Sequence, residues 1–97
     1  MNQEVARSMA REVLRVYVIS NSDAVARNLS SKAVRVLAQQ WKLSVLEQAS
    51  IRTQLECTRL PCLSANGSIK LTISFTDEQT GRVVSASAQE HLSPWLS

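Results

Sequence analysis

The first 50 residues contain no glycine and no proline, and all four such residues (Pro61, Gly67, Gly81 and Pro94) follow. That asymmetry constrains the fold more than any other feature. Before Ser50 the apolar residues recur at helical spacing, and after it they alternate with polar ones, so helix gives way to sheet. Neither half alone buries a stable core, so the 97 residues are expected to form one domain, in keeping with a typical size of about 100–150 residues. The expected division is a helical part over 1–49, a β-meander over 50–88 and a tail over 89–97.

A first helix is predicted over Gln3–Tyr17. Val5, Met9, Val13, Val16 and Tyr17 share one arc, with Ala6 and Ala10 beside them, and Arg7, Arg11 and Arg15 line the other side. The polar run from Ser20 to Asp23 reads as a break and a fresh N-cap. A second helix is predicted from Asp23 to Gln48, with a kink at Ser30 and Ser31. Its main stripe, Val34, Leu37, Ala38, Trp41 and Val45, is expected to face the sheet. A second stripe holds Val36, Leu43 and Leu46, interleaved with Lys32, Arg35, Gln39 and Lys42.

Two strands follow with clear period-2 alternation. Ile51, Thr53, Leu55 and Cys57 alternate with Arg52, Gln54, Glu56 and Thr58, and Ile69, Leu71, Ile73 and Phe75 alternate with Lys70, Thr72, Ser74 and Thr76. Asn66 and Gly67 suit a type I′ hairpin turn, which requires a shift of strand parity near Pro61. Residues 77–81 form a polar loop in which Gly81 is available for positive φ. A third strand is expected over Arg82–Ala88, then a tail in which Trp95 packs back on the core. The expected fold class is therefore α+β: two N-terminal helices on one face of a three-stranded antiparallel meander, in the order α-α-β-β-β.

Composition narrows the function. With 11 Lys and Arg against 8 Asp and Glu the net charge is +3, and 44% of residues are apolar, which suits a globular domain and excludes collagen-like and acidic disordered chains. The apolar run Val16–Ile19 is far short of the roughly 20 residues a membrane span needs. Glu4, Arg7, Arg11, Glu12 and Arg15 interrupt any apolar leader. These features lead us to expect a cytoplasmic protein with no membrane association. The two cysteines, Cys57 and Cys62, are then expected as reduced thiols, although their closeness in sequence leaves a disulfide sterically conceivable.

Signals for chemistry are sparse. The single histidine, His91, is read as a surface or tail residue, since a Cys–His or Ser–His pair requires the tail to fold over the sheet. Cys57 lies on the apolar side of its strand, as a structural thiol does. Two cysteines and one distant histidine do not make a four-ligand zinc site. The glycines are too far apart for a phosphate loop, and Asp77 and Glu78 fit turn-forming roles. No cofactor, metal, catalytic residue or small-molecule substrate is expected.

Binding is the stronger expectation. Residues 24–46 contain four cations and no acid. Val36, Leu43 and Leu46 among them, with Arg35, have the composition of an interface: an apolar centre with a basic rim. Three readings of that stripe stand open: cover by the first helix, a homodimer contact, or a site for a different protein. The cations Arg7, Arg11, Arg15, Lys32, Arg35 and Lys42 also suit phosphates, although no aromatic residue alternates with them as on a stacking platform.

From Leu46 onward the chain resembles a family of short bacterial proteins found widely in pseudomonads and built of a helix and a β-hairpin. The matching pieces are Glu47-Gln48-Ala49, Glu56-Cys57-Thr58, Asn66-Gly67-Ser68 and Thr80-Gly81-Arg82-Val83. The chain departs from that pattern at Ser50 and Arg52, where an aromatic and a proline are usual, and at Leu55, where a further cysteine is common. The resemblance implies a small bacterial accessory protein and carries over no catalytic residue. The leading expectation is thus a non-enzymatic interaction or regulatory module that self-associates or docks on a larger protein through Arg35, Val36, Leu43 and Leu46. A nucleic-acid-binding regulator using the two helical cation sets is the alternative.

Overall fold

The computed structural model describes residues 2–94. The chain runs α1 (Asn2–Val18), α2 (Asp23–Gln40), α3 (Val45–Ala49), β1 (Arg52–Cys57), β2 (Ser68–Thr76) and β3 (Val83–His91). The strands form one antiparallel sheet in the order β1-β2-β3. Its polar face, with Gln54, Thr72 and Ser87 in one row, is turned away from the helices. The α+β class is as expected, with a third short helix added.

Burial follows the alternation. β2 is central, and its inward residues Ile69, Leu71, Ile73 and Phe75 are all buried, as are Met9, Val13 and Tyr17 of α1. α1 lies across β2 and β3. Ala6 and Ala10 on the helix and Ala86 and Ala88 on β3 keep that approach close. Asn2 Nδ2 donates to Asp77 Oδ2 at 2.8 Å, tying the start of α1 to the β2–β3 turn. α2 packs on α1 rather than on the strands.

The expected second helix is shorter than predicted and carries no break at Ser30 and Ser31. α2 runs through those serines and ends at Gln40. Lys42 adopts φ 58°, its N–H reaches the Gln39 carbonyl, and the Leu43 N–H reaches the Ala38 carbonyl, both at 3.0 Å. This is a Schellman termination with lysine in the left-handed position that glycine usually holds. Burial of Leu43 stabilises the turn. Ser44 and Glu47 then form a reciprocal capping box that starts α3. Trp41 and Val45 consequently leave the expected inward stripe and are exposed.

The predicted Asn66-Gly67 hairpin and its parity shift are also absent. Thr53, Leu55 and Cys57 stand directly opposite Ile73, Leu71 and Ile69, with parity intact. Asn66 alone is left-handed, with φ 63°, so the type I′ geometry is not formed. A long loop over 58–67 replaces it. Cys57 and Cys62 are disulfide-bonded, with Cα atoms 5.3 Å apart, in place of the expected free thiols. Their pairing follows from the chain doubling back just past β1, which brings the two Cα atoms within bonding range. The Asp23 carboxylate holds this loop to the start of α2, accepting from the Cys62 N–H at 2.7 Å and the Leu63 N–H at 3.1 Å.

The β2–β3 turn is as predicted, with Gly81 at φ 71°. β3 extends to His91, beyond the expected end at Ala88, and the tail begins at the buried Leu92. Trp95 lies outside the described residues. No helix among the described residues is long and apolar enough to cross a membrane.

Candidate functional site

The main cleft follows from how the helices sit on the sheet. Helices pack roughly 8–10 Å apart, and strands lie about 4.8 Å apart, so two helices cover about four strands. Among the described residues this sheet has three. α1 occupies β2 and β3, α2 rides on α1, and the shortfall opens between α2 and β1.

One end of the cleft, about 300 Å³, is walled by Val34, Leu55 and Leu71 and carries Tyr17, Arg27 and Ser30. The adjoining part, about 450 Å³, runs between Arg35 and Ala38 on α2 and Ile51 and Thr53 on β1, and is closed by Gln48 and Ala49 of α3. Ser31, Val34 and Thr53 belong to both parts. Ascending α2 from Arg27 to Ala38 therefore means descending β1 from Leu55 to Ile51, so helix and strand run side by side in opposite directions.

Two polar atoms in this region stand out. Tyr17 Oη and Ser30 Oγ are buried with no hydrogen-bond partner among the described residues, although buried hydroxyls almost always have one. Burial raises the Tyr17 pKa above the usual phenol value, and the nearby Asp23 carboxylate adds to the rise. The Arg27 guanidinium beside the ring opposes it, yet no group meets Oη with hydrogen-bond geometry.

β1 also has an unpaired edge among the described residues. The Thr58 N–H bonds the Ser68 carbonyl at 3.1 Å. In an antiparallel ladder such bonds recur at every second residue. The backbone groups of Gln54 and Glu56 thus point to β2, and those of Thr53, Leu55 and Cys57 point to the open edge.

The residues singled out from sequence are only partly brought together. Arg35 lines the cleft, whereas Val36, 53% exposed, lies on the outer side of α2 with the exposed Lys32. Leu46, also exposed, is on α3. Leu43 is 7% exposed and belongs to the core, so the stripe Val36, Leu43 and Leu46 does not exist as one surface. Its physical reason is the end of α2 at Gln40, which breaks the helical phase that joined them. Lys42 is exposed in the break. Arg7, Arg11 and Arg15 are exposed on α1, with the exposed acids Glu4 and Glu12 among them. Sequence reasoning missed Arg27, Ser31 and Tyr17 as cleft residues. The acid-free composition of 24–46 was the available signal for Arg27.

Elsewhere, His91 is a strand residue opposite Ser68, with Nδ1 and Oγ 3.0 Å apart on the exposed sheet face. A Ser–His contact thus forms without any folding over of the tail. Among the described residues no cluster of three or more His, Cys, Asp or Glu is arranged around a metal position. The chain matches no protein family, no curated protein and no solved structure. The likeness to short pseudomonad proteins rests on the residues quoted above alone.

Proposed function

We propose that this chain is a non-catalytic protein-interaction module that docks on an acidic surface of a larger protein through α2. The observation that supports this reading most is the outer side of α2. Val25, Leu29 and Val36 are each more than two-fifths exposed and fall on one helical stripe. Lys32 lies on the same side and Arg35 at its border, both exposed, while Arg27 is turned to the cleft; no acid occurs between Ala24 and Leu46. Exposed apolar groups within a basic rim have the composition of an interface centre and its border.

Charge chooses the partner. A second copy placed against this side of α2 would set Lys32 and Arg35 against the same cations, and like charges across an interface cost several kcal/mol. An acidic protein meets them favourably. The bonded Cys57–Cys62 pair is of the kind that persists in an oxidising compartment.

The test is capture of partners by the tagged protein from a lysate of its source cells in non-reducing buffer, beside a Leu29→Ser/Val36→Ser double variant. Both side chains are exposed, so the variant should melt within about 0.5 kcal/mol of the parent. We expect an acidic protein that survives nuclease treatment and is lost by the variant. Material that disappears with nuclease would favour the nucleic-acid reading, and a partner retained by the variant would remove α2 from the interface.

A further inference from the structure

Building on the α2 docking reading, we propose that the α2–β1 cleft receives an extended acidic segment of the partner, which adds a fourth strand to the open edge of β1. Three features of the cleft converge on this occupant. α2 faces β1 across the cleft without packing on it, so a strand added to β1 would run alongside α2. The outward backbone groups of Thr53, Leu55 and Cys57 offer the ladder that such a strand requires. The cleft floor and wall are apolar through Leu71, Leu55, Val34 and Ile51, which calls for an apolar inward residue.

The cations set the register. Arg27 and Arg35 both line the cleft and stand eight residues apart on α2, a rise of about 12 Å. Four residues of extended chain span about 13 Å, and residues two apart share a face. A segment with acids four residues apart and an apolar residue midway therefore places both carboxylates toward the two arginines and the apolar group between them. The carboxylate at the Arg27 end also reaches the neighbourhood of Tyr17 and Ser30, whose hydroxyls lack any partner. A second copy does not supply this pattern, because β1 carries one acid, Glu56, among its six residues.

The experiment uses a blocked heptapeptide with glutamates at its second and sixth positions, valine at the fourth and threonine at the odd positions. It is titrated into the full-length protein with its disulfide intact, and amide signals and hydrogen exchange are followed residue by residue. We expect slowed exchange at Thr53, Leu55 and Cys57, little change at Gln54 and Glu56, and binding about tenfold or more weaker when lysines replace the glutamates. An Arg27→Glu/Arg35→Glu variant should reverse that preference while keeping the parent's far-ultraviolet circular dichroism. Equal binding of acidic and lysine peptides would overturn the proposal, as would changes spread evenly along β1. Protection of the three amides in the free protein together with a dimeric mass would overturn it in favour of a second copy. If no peptide binds, yet the Leu29→Ser/Val36→Ser variant still loses its captured partner, strand addition fails and the α2 reading survives.

Discussion

Tyr17 concentrates the chemistry of the cleft in one residue. Its ring is buried and contributes to the core, while its hydroxyl has no partner. A buried polar group without a hydrogen bond costs about 1–3 kcal/mol. Tyr17→Phe is therefore expected to raise stability in urea by about 1 kcal/mol. A destabilised variant would show that the hydroxyl is satisfied. The raised pKa has a defined sign. The neutral phenol is favoured in the fold, so its contribution to stability is full below about pH 10, the unperturbed value, and is lost as pH rises through the higher folded value. Because Tyr17 is the chain's only tyrosine, absorbance titration reads it directly, and a midpoint at the ordinary phenol value would contradict this burial. Asp23 is the second residue of consequence. Its carboxylate accepts two loop N–H groups, so Asp23→Ala should cost about 2 kcal/mol, read from the urea midpoint. Neither role was legible in sequence. Asp23 has the look of an ordinary first-turn acid, and its bond to a loop 39 residues away leaves no local trace.

Elements were legible where periodicity was strong and local. α1, the alternating faces of β1 and β2, and the glycine of the β2–β3 turn all follow from spacing and backbone preference. The break after Gln40 was missed because its left-handed position holds Lys42 where glycine is the usual marker. A usable signal did exist one step later, in the Ser44 to Glu47 capping box. The misplaced turn at Asn66 and Gly67 has a different origin: a tertiary tie through Asp23 and the disulfide overrides the local preference for a two-residue hairpin. Lys42→Gly should stabilise the protein by about 0.5–1 kcal/mol by removing the side-chain penalty at that backbone angle, as measured by thermal melting. Replacing Cys57 and Cys62 together by serine should cost about 2 kcal/mol through loss of the short closed loop, with the sheet signature in circular dichroism retained. Loss of that signature would mean that the bond specifies the fold rather than supporting it.

At the scale of the whole molecule, the two long helices and three strands do not match in width, and the mismatch is where the candidate site lies. Counting elements in the sequence was enough to foresee an α+β domain. Foreseeing the cleft required knowing that α2 packs on α1 and stands off β1, a fact carried by no single segment. The basic, acid-free stretch 24–46 was visible from the start, whereas its outward stripe was assigned to Val36, Leu43 and Leu46 and proves to be Val25, Leu29 and Val36. Among the described residues β1 is an open edge of the sheet. The most direct test is native-state amide exchange on the free protein at a concentration where sedimentation shows a monomer. Thr53, Leu55 and Cys57 should exchange about a hundredfold or more faster than Gln54, Glu56 and Thr58, whose N–H groups are bonded to β2. Equal protection of the two sets in the monomer would show that β1 is already covered and that the sheet is not one strand short.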